Sequence, residues 1–120
     1  GVETVREPDG LALSSRNRYL SANERRRAAL LPETLQSGAE SIRDGAEVGA
    51  AIRGMIEHLA GADLAVDYVE LRRLADLAPV AADRPLDRSS GAEHLLAAAV
   101  RLGATRLIDN RRLDAAGAIR

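Results

Sequence analysis

The spacing of apolar residues changes once along this chain, and that change limits what it can fold into. From Ala28 through Leu31, Leu35 and Ala39 to Ile42, apolar positions recur in three- and four-residue steps, which places them on one face of a helix. Arg25, Arg26, Glu33, Glu40 and Arg43 fall on the opposite, solvated side. Val48, Ile52, Met55, Ile56 and Leu59 continue the helical step in a second segment, expected over 46–60 and stopped by Gly61. From Ala65 the repeat shortens to two, so that Val66, Tyr68 and Glu70 point one way and Asp67, Val69 and Leu71 the other. Helices are expected first and extended chain afterwards.

Local signals refine these segments. Ser21-Ala22-Asn23-Glu24 has the spacing of a capping box, so a helix should begin near Ala22, with Gly45 as its stop. Pro32 lies inside that run; an interior proline removes one backbone hydrogen bond and costs about 3 kcal/mol, which predicts a kink or break near Leu31. Pro79, Pro85 and Ser89-Ser90-Gly91 mark 78–91 as a surface connection. Over 92–102 two readings compete. Alanine and leucine favour helix, whereas Gly103-Ala104 followed by Thr105-Arg106-Leu107-Ile108-Asp109 suggests a hairpin and strand.

With 120 residues the chain suits one domain, and with no Phe or Trp and only two Tyr its core must be built from Leu, Val, Ile and Ala. A stacking platform for bases is therefore not expected. Acidic and basic residues nearly cancel, 18 against 17, so no net field recruits nucleic acid or an anionic membrane. The absence of cysteine excludes disulfides and thiolate chemistry and is compatible with a reducing, cytoplasmic setting. The longest apolar run, 95–100, is far below the roughly 20 residues of a membrane span.

The chemistry-bearing segment is 6–17. Pro8-Asp9-Gly10 makes a tight turn; Ser14 and Ser15 then offer two hydroxyls, Arg16 a planar guanidinium and Asn17 an amide, a donor set suited to phosphate oxygens. Its position just behind Gly1 suggests a chain cut from something longer, with the glycine a cleavage scar. Elsewhere the blander reading is the better one. Arg25-Arg26-Arg27 reads as a solvated helix face, and His58 and His94 as isolated structural histidines that make no metal site. Asp67 and Tyr68 read as strand packing, and Asp109-Asn110 as a strand end.

Taken in order, Thr4-Val5-Arg6-Glu7-Pro8-Asp9-Gly10-Leu11-Ala12-Leu13-Ser14-Ser15-Arg16-Asn17, then Arg18-Tyr19-Leu20, Val66-Asp67-Tyr68, Leu102-Gly103 and Thr105-Arg106-Leu107-Ile108-Asp109-Asn110 resemble the C-terminal domain of the pantothenate synthetases, the pantoate–β-alanine ligases. The resemblance spans almost the whole chain. It implies an enzyme that uses ATP, accompanied by Mg2+, to adenylate pantoate with release of pyrophosphate, and then lets the β-alanine amine displace AMP. It also implies a Rossmann domain bearing paired histidines, which this chain lacks, so the fragment alone is expected to be inactive.

The resemblance makes 13–16 the counterpart of a KMSKS loop, with Ser14, Ser15 and Arg16 on ATP phosphates and Val5 and Leu13 beside the adenine. Leu13 stands where methionine is common, a change that conserves volume. Arg16 is the candidate stabiliser of developing charge, a charge-assisted hydrogen bond contributing about 1.5 to 3 kcal/mol. Residues 1–18 are then an interdomain loop and 19–120 a lid domain. The implied fold is α+β, with helices covering one face of an antiparallel sheet of about three strands, and 92–102 becomes a strand. The alternative is a non-catalytic helical interaction module that self-associates, as a homodimer, through the exposed former domain interface. A relative of tRNA synthetases is disfavoured by the lack of a basic face.

Overall fold

The computed structural model describes residues 20–120, which form three helices followed by three strands: α1 (Ala22–Ala28), α2 (Leu30–Arg43), α3 (Val48–Gly61), β1 (Ala65–Arg73), β2 (His94–Leu102) and β3 (Thr105–Leu113). The strands make one antiparallel sheet in the order β1-β2-β3. The architecture is the expected α+β one. No described helix is long and apolar enough to cross a membrane.

The capping box is formed. Ser21 Oγ accepts from the Glu24 N–H at 3.1 Å, and Glu24 Oε1 accepts from the Ser21 N–H at 3.1 Å. The following helical run divides at Ala29, close to the expected break at Leu31. The cause is Pro32, which has no N–H to give the carbonyl of Ala28 one turn earlier, so the ladder cannot pass through that point. Beyond the break α2 runs to Arg43, and Gly45 leaves the helix with φ of +104°.

The stripe of Ala28, Leu31, Leu35, Ala39 and Ile42 is buried as its spacing required, and with Val48, Met55 and Leu59 of α3 it packs on Val69, Leu71, Leu96, Ala98, Val100 and Leu102 of the sheet. Close approach of α2 and α3 depends on Gly38, where any Cβ would meet the Met55 side chain. One charged residue differs from expectation. Arg27 does not sit on a solvated face: its Nε donates to the Ala62 carbonyl at 3.1 Å and its Nη2 to that of Asp63 at 2.8 Å, capping the C-terminal end of α3. At the other end of α3 the connection 82–84 does the same service, since the N–H groups of Val48 and Gly49 donate to Arg84 and Ala82 carbonyls at 3.1 and 2.8 Å.

That second contact leaves no room for a side chain at Gly49, where a Cβ would lie 2.9 Å from the Ala82 carbonyl oxygen. Gly49→Ala is expected to destabilise by about 1 to 2 kcal/mol, because the displaced atom is backbone. Gly54, in the same helix with nothing within 4 Å of its Cβ position, is the control. Gly54→Ala should stabilise by about 0.5 to 1 kcal/mol through helix propensity. Urea melts of both variants check the opposite signs.

In the sheet, Asp67 departs from its expected place beside Val69 and Leu71. The β1–β2 register shifts between Val66 and Tyr68, so Asp67 occupies a bulge and Val66, three residues before Val69, packs against the core. One extra residue reverses the alternation upstream of it. The 92–102 segment is strand β2, against its helical propensity, because it is the central strand and pairs on both sides. A two-residue turn at Gly103, φ of +59°, and Ala104 joins it to β3.

Candidate functional site

The residues expected to hold ATP, Val5, Leu13, Ser14, Ser15 and Arg16, lie outside the described residues, as does the turn at 8–10. What is described begins at Leu20. Leu20 packs against the hydrophobic core, and the Ser21–Glu24 box begins α1 immediately behind it. The chain leaving 13–16 therefore meets a capped helix start within five residues of Arg16.

Three polar clusters lie on the described elements. Asp67, in its bulge, accepts from Arg106 Nε at 2.9 Å and Arg101 Nε at 3.3 Å. The hydrogen bond from Arg106 chiefly, with help from Arg101, holds the Asp67 carboxyl below the usual carboxylate range. The three groups are solvated, so the cluster fastens strand surfaces and adds little stability. Tyr68 pairs with Ala99 across β1 and β2.

The second cluster corrects the expectation that Asp109-Asn110 ends a strand. Strand β3 continues to Leu113, because its pairing with β2 persists to His94↔Leu113. Asp109 is 2% exposed and Arg111 9%, both on the helix-covered side. Arg111 donates from Nη1 to Asp109 Oδ2 at 3.4 Å and to the Asn110 carbonyl at 3.0 Å. It also donates from Nε to Gln36 Oε1 at 3.1 Å and from Nη2 to the Pro32 carbonyl at 3.1 Å. Arg111 thereby ties β3 to α2. Its signal is legible in the sequence: Leu107, Asp109, Arg111 and Leu113 share one alternation, so a buried face has to include both charges.

The third cluster surrounds His94, at the first position of β2 and 5% exposed, on the floor of a cleft beneath the 78–91 connection. Burial first, and the Arg73 guanidinium second, push the imidazole below its ordinary value. Arg84 and Asp87 also line the cleft. The fold thus accepts the neutral ring. Its contribution to stability is fully present above the unfolded value of about 6.5 and is lost as pH falls through the lower folded value. Urea melts at about pH 7.5 and 5 are expected to show a smaller loss of stability in His94→Gln than in the parent. His58 is exposed on α3, at a groove with Glu33 and Ser37 of α2.

No group of three His, Cys, Asp or Glu side chains placed to hold a metal occurs among the described residues. The Asp67 and Arg111 clusters join strands to each other and to α2.

The family model described as Pantoate-beta-alanine ligase matches residues 1–112. A pantothenate synthetase of Rhizorhabdus wittichii is 48% identical over 117 residues, covering 97% of this chain and 39% of that protein. One from Anaeromyxobacter dehalogenans is 51% identical over 114 residues, covering 94% and 37%. Among solved structures, the pantothenate synthetase from Thermus thermophilus matches with a TM-score of 0.71 and 39% identity, over 92% of this chain and 38% of that one. The chain spans less than two fifths of the length of each of these relatives.

Proposed function

The chain belongs to the pantoate-beta-alanine ligase family, and from that membership we propose that it is the ATP-facing lid of a pantothenate synthetase. The observation that carries this reading is the match through residues 1–112, which includes the donor-rich segment 13–16 and ends inside β3. In this reading 1–18 is the interdomain loop and 19–120 the lid body. The solved relative of more than twice this length supports a partner domain outside the chain, which would bear the paired histidines and the pantoate pocket.

The parent enzyme would condense pantoate with β-alanine through a pantoyl adenylate, giving pantothenate, AMP and pyrophosphate. Ser14 and Ser15 would donate to ATP phosphate oxygens, Arg16 would oppose the charge that builds as pyrophosphate leaves, and Val5 and Leu13 would pack the adenine. Mg2+ would arrive with ATP. Alone, the chain lacks half the phosphate cradle. Ordering its loop, at about 1 to 2 kcal/mol per residue, is then not offset by binding.

Reconstitution tests the reading. Adding the histidine-bearing domain in trans should produce AMP formation that requires both pantoate and this chain, whereas neither part alone should turn over. AMP formation unaffected by omitting this chain would remove it from the reaction. The interaction-module alternative draws little support from the surface. Among the described residues only Leu77 and Ile108 are exposed large apolar side chains, too few for an extended apolar patch.

A further inference from the structure

The cleft floored by His94 has no part in the ligase reading, yet it is built like a binding site. It is a cleft of about 270 Å³ that opens to solvent on one side. Its frame is fixed by backbone bonds: the Arg73 N–H donates to the Ala78 carbonyl at 2.9 Å, the Leu74 N–H to that of Glu93 at 2.9 Å, and Pro79 and Pro85 form bridges to Arg72 and Glu47. Such a roof needs little ordering when a ligand enters.

The polar groups converge on one chemistry. The His94 side chain forms no hydrogen bond or ion pair among the described residues, although the residue is only 5% exposed. Its cross-strand partner Arg73 gives Nε to Asp76 at 3.0 Å, and Arg84 gives Nε to Asp83 at 3.1 Å. Each guanidinium keeps its terminal nitrogens for another acceptor. The carboxylate in the wall, Asp87, is already engaged by the N–H and hydroxyl of Ser89 at 2.9 and 2.6 Å. Ser90 also lines the cleft, and Val80, Leu86 and Ala92 give it an apolar side.

We propose that this cleft binds a small aliphatic carboxylate, its oxygens held by the terminal nitrogens of Arg73 and Arg84 and by the His94 ring, its short chain against Val80 and Leu86. A carboxylate matches two guanidinium edges in a way that a neutral amide does not, and the apolar surface of Val80 and Leu86 suits a short branched or straight chain. The site is independent of the 13–16 segment and of the ligase reading.

The test is a titration of the 120-residue chain with sodium isobutyrate, followed by the imidazole proton signals in NMR, with isobutyramide as the uncharged isostere and His58 as the exposed reference. Isobutyrate should move the His94 signal saturably below about 100 mM, the range open to a ligand of so few atoms, and leave His58 in place. The bound anion should also raise the pH midpoint of His94, since a nearby negative charge favours the imidazolium. Isobutyramide should bind at least about tenfold more weakly, having no charge to offer the two guanidinium groups. Arg73→Gln and Arg84→Gln, both surface changes, should each weaken isobutyrate by about tenfold or more while the thermal melt confirms a folded chain. The proposal is overturned by no saturable movement of His94, by equal response to the amide, or by unchanged affinity in both variants.

Discussion

Replacing Arg16 by alanine in the reconstituted enzyme is expected to lower pantoate-dependent AMP formation by about 10²- to 10³-fold, the loss typical when one donor to developing negative charge is removed. Arg16 supplies the only permanent charge among the four residues of 13–16, so its hydrogen bonds should strengthen most as the transition state forms. The effect should therefore fall on kcat more than on KM for ATP. Arg16→Lys separates charge from geometry: a lysine retains the positive charge but not the planar fork, and partial recovery is the expected outcome. Undiminished turnover in Arg16→Ala would take this residue out of the mechanism. Because Arg16 precedes the capped helix start, the substitution should leave the thermal melt of the 20–120 body unchanged, and a lowered melting temperature would show that the loss came through folding.

The largest expected effect on stability comes from Arg111→Ala. The guanidinium serves Asp109, Gln36 and two carbonyls at once, and one of those carbonyls belongs to Pro32 in α2. Removing it strips a counter-charge from a carboxylate that is 2% exposed. Breaking such a buried pair from one side costs about 3 to 5 kcal/mol, a large fraction of the stability of a small domain. The melting temperature should drop by on the order of 10 to 20 °C. The paired change Arg111→Met with Asp109→Leu should recover much of that loss, since no charge is then left buried, and the resulting coupling energy measures the pair. A loss below about 1 kcal/mol in Arg111→Ala would mean that β3 and α2 are held by apolar packing alone.

Several elements are legible without coordinates because their information is local. The capping box at Ser21 and Glu24, the break ahead of Pro32, the stripe from Ala28 to Ile42 and the turn at Gly103 each depend on residues a few positions apart. Strand β2 is different. Its alanines and leucines favour helix locally, and the hairpin signal after it together with the resemblance argues for a strand. Asp67 falls on the unexpected side because a bulge is invisible to a strict two-residue alternation. Asp109-Asn110 looks like a strand end only when its partner, Arg111, is not considered. Nothing in the helix that carries Arg27 shows that the end of α3 lies within its reach, 35 residues along the chain. Of the candidate ATP site, the donor chemistry of Ser14, Ser15 and Arg16 is readable from residue types, whereas the cleft at His94 is not readable at all.

The sequence by itself determined the order of helices and strands, the core stripe, the cluster of hydrogen-bond donors at 13–16 and the family to which the chain belongs. These follow from short-range periodicity and from the chemistry of adjacent side chains, which survive without knowledge of the fold. Tertiary structure alone decided that His94–Leu102 is the central strand, that Arg111 reaches Gln36 and the Pro32 carbonyl of α2, and that Arg73, Arg84 and His94 meet around one cleft. The physical reason is the same in each case. Backbone pairing on both sides outweighs a helix preference of a few tenths of a kcal/mol per residue. The worth of a buried charge or an unpartnered imidazole, in turn, is set by neighbours brought from distant parts of the chain.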